Sequence, residues 1–348
     1  MYRIVVTGGA GFIGSHTCLQ LLENGNEIFV LDSYVNSSEK SLKNVLKILE
    51  KKFENVRKKL HIIKCDLRNK NDIEEFFKKS LNYKKKFDAV IHFAGLKSVS
   101  ESNENALKYW EFNVLGTINL LSIMKKYGCK TIVFSSSATI YKCNENSFIK
   151  ENQMLDPINP YGITKLTIEK LLTDIYKSDS ENWRIANLRY FNPIGAHKSG
   201  ILGEEPLTIP NNIFPLLTRV AIGEIDLLKI FGRDWPTKDG TGVRDYIHVM
   251  DVAEGHIRTL EYLLDRKPQI ININIGTGIG TSVMELIKVF EEVNKVKIPY
   301  KFVDRRKGDN SFVVADNSLA RSLLDWEPKF TISDMCRDGW QWQIRNKK

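Results

Sequence analysis

Ile4-Val5-Val6-Thr7-Gly8-Gly9-Ala10-Gly11-Phe12-Ile13-Gly14, followed by Cys18, Leu21 and Leu22 at helical spacing, decides the fold. A β-branched run favours a strand, and the apolar positions after it recur every three or four residues as in a helix. Gly8, Gly11 and Gly14 recur every third residue between the two. Glycines so placed permit a tight turn, bring backbone N–H groups up to a pyrophosphate and let the helix pack closely on the strand. A glycine pattern alone is weak; flanked by strand and helix it predicts a dinucleotide loop.

The next apolar run, Glu27-Ile28-Phe29-Val30-Leu31, ends on Asp32, 18 residues beyond Gly14. A carboxylate there accepts from adenosine ribose hydroxyls and repels a 2′-phosphate, which selects NAD over NADP. The spacing from Ser41 to Leu60 predicts one amphipathic helix, with Leu42, Val45, Leu46, Leu49, Phe53, Val56 and Leu60 inward. Leu60-His61-Ile62-Ile63 and Ala89-Val90-Ile91-His92-Phe93 read as further strands. Asp66 after the first suits the adenine amino group, and Lys97 after the second suits cofactor ribose. A helix is predicted over Ala106 to Tyr127, with Trp110, Val114, Ile118, Leu121 and Met124 inward; Asn113 among them needs a partner and would stiffen the cofactor loop. Thr131-Ile132-Val133-Phe134 is a fifth strand, ending in Ser135-Ser136-Ser137. Such alternation predicts an α/β fold with a doubly wound parallel sheet, whose ligands lie at the carboxyl ends of the strands.

Asn159-Pro160-Tyr161-Gly162-Ile163-Thr164-Lys165 then opens a helix, since Pro suits a first turn. Tyr161 and Lys165 are one turn apart and share a face. For the phenol to act as a base near neutrality its pKa must fall by ~3 units, about 4 kcal/mol, more than one lysine supplies. A second cation is implied, for which an oxidised nicotinamide ring is a natural candidate. With Ser137 at a strand end, these residues form a proton-transfer triad.

Among 348 residues, 51 Lys+Arg against 42 Asp+Glu give a net charge of +9. The excess is spread over Lys51-Lys52, Lys58-Lys59 and Lys84-Lys85-Lys86, without the interleaved stacking aromatics of a nucleic-acid surface. Cys18, Cys65, Cys129, Cys143 and Cys336 lack Cys-x-x-Cys spacing, which argues against disulfides and metal and for a reducing compartment. No apolar stretch approaches a membrane span. The protein is expected in the cytoplasm.

The segments 6–16, 92–97, 134–139, Tyr190-Phe191-Asn192-Pro193-Ile194-Gly195-Ala196-His197 and 240–249 resemble the extended short-chain dehydrogenase/reductase family, in its nucleotide-sugar branch acting at C4 of UDP-glucose and UDP-galactose. The resemblance implies an NAD-binding Rossmann domain over 1–190 and a smaller α/β UDP-sugar domain over 191–348, with segments near 246 and 271–275 returning to the larger one. It implies NAD contacts from Gly8, Gly11, Phe12, Ile13, Gly14, Asp32, Asn36, Asp66, Leu67, Phe93, Ala94, Gly95, Lys97, Asn113, Ser135, Tyr161, Lys165 and Phe191. It implies substrate contacts from Lys97, Ser137, Tyr161, Asn192, Asn212, Phe231, Arg244, Tyr246, Arg306, Asp309 and Val313. Two arginines and an aspartate suit a nucleotide diphosphate independently. One departure stands out: Lys142-Cys143-Asn144 follows Tyr141, where the family continues with glycine.

By this reading Tyr161 takes the 4-hydroxyl proton, Ser137 bonds the same oxygen, C4 gives hydride to NAD, and the resulting 4-keto sugar turns over before hydride returns. Dehydratases and decarboxylases on this scaffold carry an acid just after the serine; here Ala138-Thr139 stands there. Glucuronate epimerases lack the segment around Phe191-Asn192-Pro193, and redox-sensing binding proteins commonly lose the Tyr or Lys. Val313 is small where family members with tyrosine exclude 2-acetamido sugars, so UDP-N-acetylhexosamines are expected as substrates too. The resemblance also implies a homodimer through the Tyr161 helix, with Leu166, Leu171, Leu172 and Ile175, and the helix before it.

Overall fold

The computed structural model describes residues 1–81, 86–142, 147–206, 210, 212–306 and 308–346. Lys84, Lys85, Cys143 and Asn144 lie outside the described residues. The strands in chain order are β1 (Arg3–Thr7), β2 (Glu27–Asp32), β3 (Leu60–Lys64), β4 (Ala89–His92), β5 (Thr131–Ser137), β6 (Arg184–Tyr190), β7 (Asn192–Ile194), β8 (Leu228–Phe231), β9 (Val243–His248), β10 (Gln269–Ile275), β11 (Gly280–Ser282), β12 (Tyr300–Val303) and β13 (Phe312–Val313).

Two compact units result: residues 1–140, 155–189 and 253–273, and residues 141–154, 190–252 and 274–348. The first holds most of a seven-stranded sheet in the order β10-β6-β5-β4-β1-β2-β3. β1 pairs in parallel with β2 and with β4, so the strand order reverses at the carboxyl end of β1. In open α/β sheets that reversal opens the crevice where ligands bind. β1, β2, β4 and β5 are almost wholly buried, as expected of strands covered on both faces.

In the second unit β9 pairs with β7, β11 and β13, and β8 with β12. Its core gathers Phe214, Leu217, Tyr246, Leu286, Phe290 and Met335. The division is less simple than a cut at 190: 253–273 belongs to the first unit and 141–154 to the second. The stretch around Tyr246 was expected to return to the larger body, but as the middle of β9 it stays in the second.

Two helical expectations are also corrected. The helix from residue 40 ends at Leu49, and Asn55, at φ 62°, begins a short turn of 3-10 helix before β3. Phe53 is consequently 40% exposed. Over Ala106 to Tyr127 a π-helical turn, Trp110–Leu115, interrupts the helix. A wider turn rotates every later side chain about the axis. Asn113, Val114, Leu121 and Met124 face inward, while Trp110 and Ile118 are 38% and 45% exposed.

Candidate active site

The glycine loop is close-packed. A Cβ on Gly8, which sits at φ +68°, would lie 2.6 Å from the Ala94 nitrogen, and one on Gly14 would lie 2.4 Å from the Gly8 carbonyl oxygen. The Gly11 N–H donates to that carbonyl at 3.1 Å. The helix Phe12–Glu23 has no side-chain cap and no acidic residue in its first turn. Its leading N–H groups, with the macrodipole behind them, suit a pyrophosphate. Asp32 is buried at the end of β2 and accepts from the Ala10 and Tyr34 N–H groups and from the Ser37 hydroxyl. Asn36 is exposed nearby in sequence. Asp66 forms an ion pair with Arg68 at 2.7 Å, which holds its carboxyl below the ordinary value. Asn119 ties down the Leu67 carbonyl at 3.0 Å. These residues fit NAD: a backbone cradle for two phosphates, a carboxylate for the ribose and an acidic turn for adenine.

The loop after β4 is held from beneath. Asn113, 1% exposed, receives the Leu96 N–H at 2.8 Å and donates to the Leu96 carbonyl and to Thr164 Oγ1, each at 3.1 Å. Its amide is thereby committed to the loop and to the helix Pro160–Ser178, where it acts as a clamp. Below it lies His92. Thr117 Oγ1 donates to the Asn113 carbonyl, so it accepts from His92 Nε2 at 2.8 Å, and Thr7 Oγ1 donates to Nδ1 at 2.6 Å. Neutral imidazole satisfies both contacts, and burial pushes its pKa down to about 3, with Lys165 contributing. Phe93 packs against His256 at 4.6 Å, and Lys97 is exposed.

The proton-transfer residues stand at the end of β5 and the start of the helix Pro160–Ser178. Asn159 caps that helix, accepting from the Gly162 N–H at 2.8 Å. A Cβ on Gly162 would meet the Thr139 carbonyl at 2.9 Å, which is how the helix comes so close to β5. Tyr161 is 9% exposed and lies beside Ser137; burial raises its pKa and Ser137 opposes the rise. Thr139 donates to Ser137 Oγ through its N–H and hydroxyl. Lys165 donates to the Ser135 carbonyl at 2.6 Å and lies 4.9 Å from the Phe134 ring centre. Burial lowers its pKa to about 8, opposed by Glu169.

In the second unit Arg244 pairs with Asp309, and burial and Arg244 lower the pKa of Arg306 while Asp309 raises it. Two guanidinium groups around one carboxylate leave a cationic excess fit for a diphosphate. Arg306 stacks on Phe231 at 3.8 Å. Asn192 is half-buried in β7, and Asn212 is exposed at the start of the helix Ile213–Ala221. Phe191 and Tyr246 are 8% and 3% exposed, Tyr246 within the core. Val313 is half-buried and in register with Arg244. Tyr141 donates to Asn274 at 2.6 Å and the Lys142 N–H bonds the Met154 carbonyl at 2.8 Å, so the chain around the unusual Lys142 is anchored.

Sequence reasoning missed Glu169, His92, Thr117 and Thr7. Glu169 continues the Tyr161–Lys165 face by one turn, and Thr117 lies one turn from Asn113; either spacing could have drawn notice.

The chain matches, over residues 5–339, the family model described as GDP-mannose 4,6 dehydratase. It is 48% identical to UDP-glucose 4-epimerase of Bacillus subtilis (strain 168), covering 99% of this chain and 97% of that one. The Bifidobacterium longum UDP-glucose 4-epimerase in complex with NAD+ and UDP is similar at a TM-score of 0.91 and 41% identity, covering 99% of this chain and 98% of that one. The Stenotrophomonas maltophila UDP-glucose-4-epimerase with bound NAD and formylated UDP-arabinopyranose is similar at a TM-score of 0.93 and 40% identity, with 99% and 98% covered.

Proposed function

Because the chain belongs to the UDP-glucose 4-epimerases of the extended short-chain dehydrogenase/reductase family, we propose that it interconverts UDP-glucose and UDP-galactose at C4 with NAD as resident cofactor. The observation that carries this reading is the cluster of Ser137, Tyr161 and Lys165 at the carboxyl end of β5. When bound, NAD accepts the C4 hydride and returns it.

The remaining work falls to the chain. Ser137 bonds the sugar 4-oxygen and Tyr161 takes its proton, then gives it back at the end of the cycle. Burial opposes the phenolate, so Lys165 and the nicotinamide charge must together favour it. The helix Phe12–Glu23 and the glycine loop hold the cofactor phosphates. Arg244 and Arg306 grip the substrate diphosphate, and Asp309 orients the guanidinium of Arg244. Elimination of water, the reaction of the dehydratases, needs an acid beside the serine; Ala138 is buried and apolar, and Thr139 is bonded to Ser137.

Substrate breadth follows from Val313. Partners in register present side chains to one face of a sheet, which puts Val313 on the face of Arg244, whereas Val314 is fully buried. A small residue there admits UDP-N-acetylhexosamines. The described cysteines, Cys18, Cys65, Cys129 and Cys336, are free and buried, which suits the reducing cytoplasm. Among the described residues no helix is long and apolar enough to cross a membrane. Of the residues expected at a homodimer face on the Tyr161 helix, Leu172 is fully buried and Leu171 and Ile175 pack against the core, so they do not form that face; the exposed apolar side chains on the two helical segments expected to pair are Leu107, Trp110, Leu115, Ile118 and Ile163. Incubation with UDP-glucose tests the function: UDP-galactose as product supports it, and a 4-keto-6-deoxy sugar nucleotide refutes it in favour of a dehydratase.

A further inference from the structure

Three consecutive serines at the end of β5 meet three consecutive turns of the helix Pro160–Ser178. Ser137 lies beside Tyr161 and favours its ionised form, the Ser135 carbonyl accepts from Lys165 at 2.6 Å, and the Ser136 hydroxyl donates to Glu169 at 2.5 Å. Tyr161, Lys165 and Glu169 are spaced i, i+4, i+8 and share a face. Glu169 has no part in the proposed chemistry, yet it is 4% exposed and receives Arg189 of β6 through Nε at 3.0 Å and Nη2 at 2.6 Å. Arg189 is 2% exposed.

We propose that Glu169 is a positioning residue of the proton-transfer site, fixed by Arg189 and Ser136 so that its carboxylate keeps Lys165 cationic beside the Tyr161 phenol. The proposal rests on the reading of Tyr161 as the base. A charge count supports it. Arg189, Lys165 and Glu169 together bury one net positive charge, which an ionised Tyr161 cancels. Remove the carboxylate, and two cations remain in the same interior, an arrangement that drives the Lys165 proton off. Burial already pulls Lys165 down to about 8, with Glu169 acting against it. Of the other charged and titratable groups on the packed elements, His92 of β4 is held neutral by Thr7 and Thr117, Tyr109 and Lys108 are both bonded to Glu101, and Glu104 and Glu111 are exposed to solvent.

A simple staple between helix and sheet would change stability without changing which proton moves, so the test reads protonation. Glu169→Gln, loaded with NAD, is compared with wild type in two ways: the pH profile of kcat on UDP-glucose, and tyrosinate absorbance against pH with the Tyr161→Phe signal subtracted. The alkaline limb of kcat is expected to fall by about one pH unit, with KM changed less than about threefold, and tyrosinate at neutral pH to decrease. Because removing the carboxylate that holds a buried Arg189 can prevent folding, Glu169→Gln/Arg189→Met is measured alongside; it should shift the limb the same way but less. An unchanged limb and titration in either folded variant overturns the proposal. Absence of epimerisation in wild type refutes the proposed function, and the absorbance titration still decides what Glu169 does.

Discussion

Lys165 donates its ammonium to the main-chain carbonyl of Ser135 at 2.6 Å, and both residues are buried. The strand that carries Ser137 is thus tied to the helix that carries Tyr161, with the ammonium 5.8 Å from the centre of the Tyr161 ring. With burial raising the pKa of Tyr161, the phenol sheds its proton only when further positive charge arrives beside it. Tyr161→Phe and Ser137→Ala should each lower kcat by ~10² or more with NAD retained. Full activity in Tyr161→Phe would remove the phenol from the mechanism.

The Asn113 clamp gives a second prediction. Asn113→Ala leaves the Leu96 N–H and carbonyl without their buried partner, a loss of about 1–3 kcal/mol for each unsatisfied group. The expected outcome is a lower denaturation midpoint together with faster loss of NAD on dialysis. Unchanged retention of NAD would mean that the loop after β4 does not need the clamp.

His92 makes the fold acid-sensitive. Its pKa lies near 3 in the folded chain and near 6.5 unfolded, so between these values the unfolded chain binds the extra proton. Stability through this group therefore falls as pH drops from about 6.5 towards 3, by at most ~1.4 kcal/mol per unit. His92→Gln should lose less stability than wild type between pH 7 and 4.5 in denaturant titrations. Equal losses would exclude His92 as the source.

Much of this was legible in the chain. The glycine loop, Asp32 and the Tyr161 helix announce themselves because their spacing is imposed by local geometry, a tight turn or one helical turn. Asn113, a polar residue on an apolar helix face, needs a partner, and Leu96 and Thr164 supply it. The π-helical turn was not legible, because Ile118 keeps an α-helical apolar period that a single wide turn before it re-aims outward. Nor was the end of the helix at Leu49, where the apolar spacing runs on through Phe53 and Val56 while the backbone turns. The Glu169–Arg189 pair joins residues 20 apart in sequence, and no local pattern marks a partner brought in by the sheet.

Val313 sets the fourth prediction. Val313→Tyr should lower activity on UDP-N-acetylglucosamine by roughly tenfold to a hundredfold and leave activity on UDP-glucose within about threefold, since overfilling a tight pocket costs about 1 to 3 kcal/mol. A wild type inert towards UDP-N-acetylglucosamine would show that Val313 does not act as the gate.

Reaction of UDP-glucose carrying deuterium at C4, followed by proton NMR in ordinary water, tests the central claim most directly. Proton transfer through Tyr161 exchanges only the 4-hydroxyl hydrogen, so UDP-galactose should form with deuterium still on C4. Galactose formed with hydrogen at C4, or no galactose at all from NAD-loaded protein, would contradict the account.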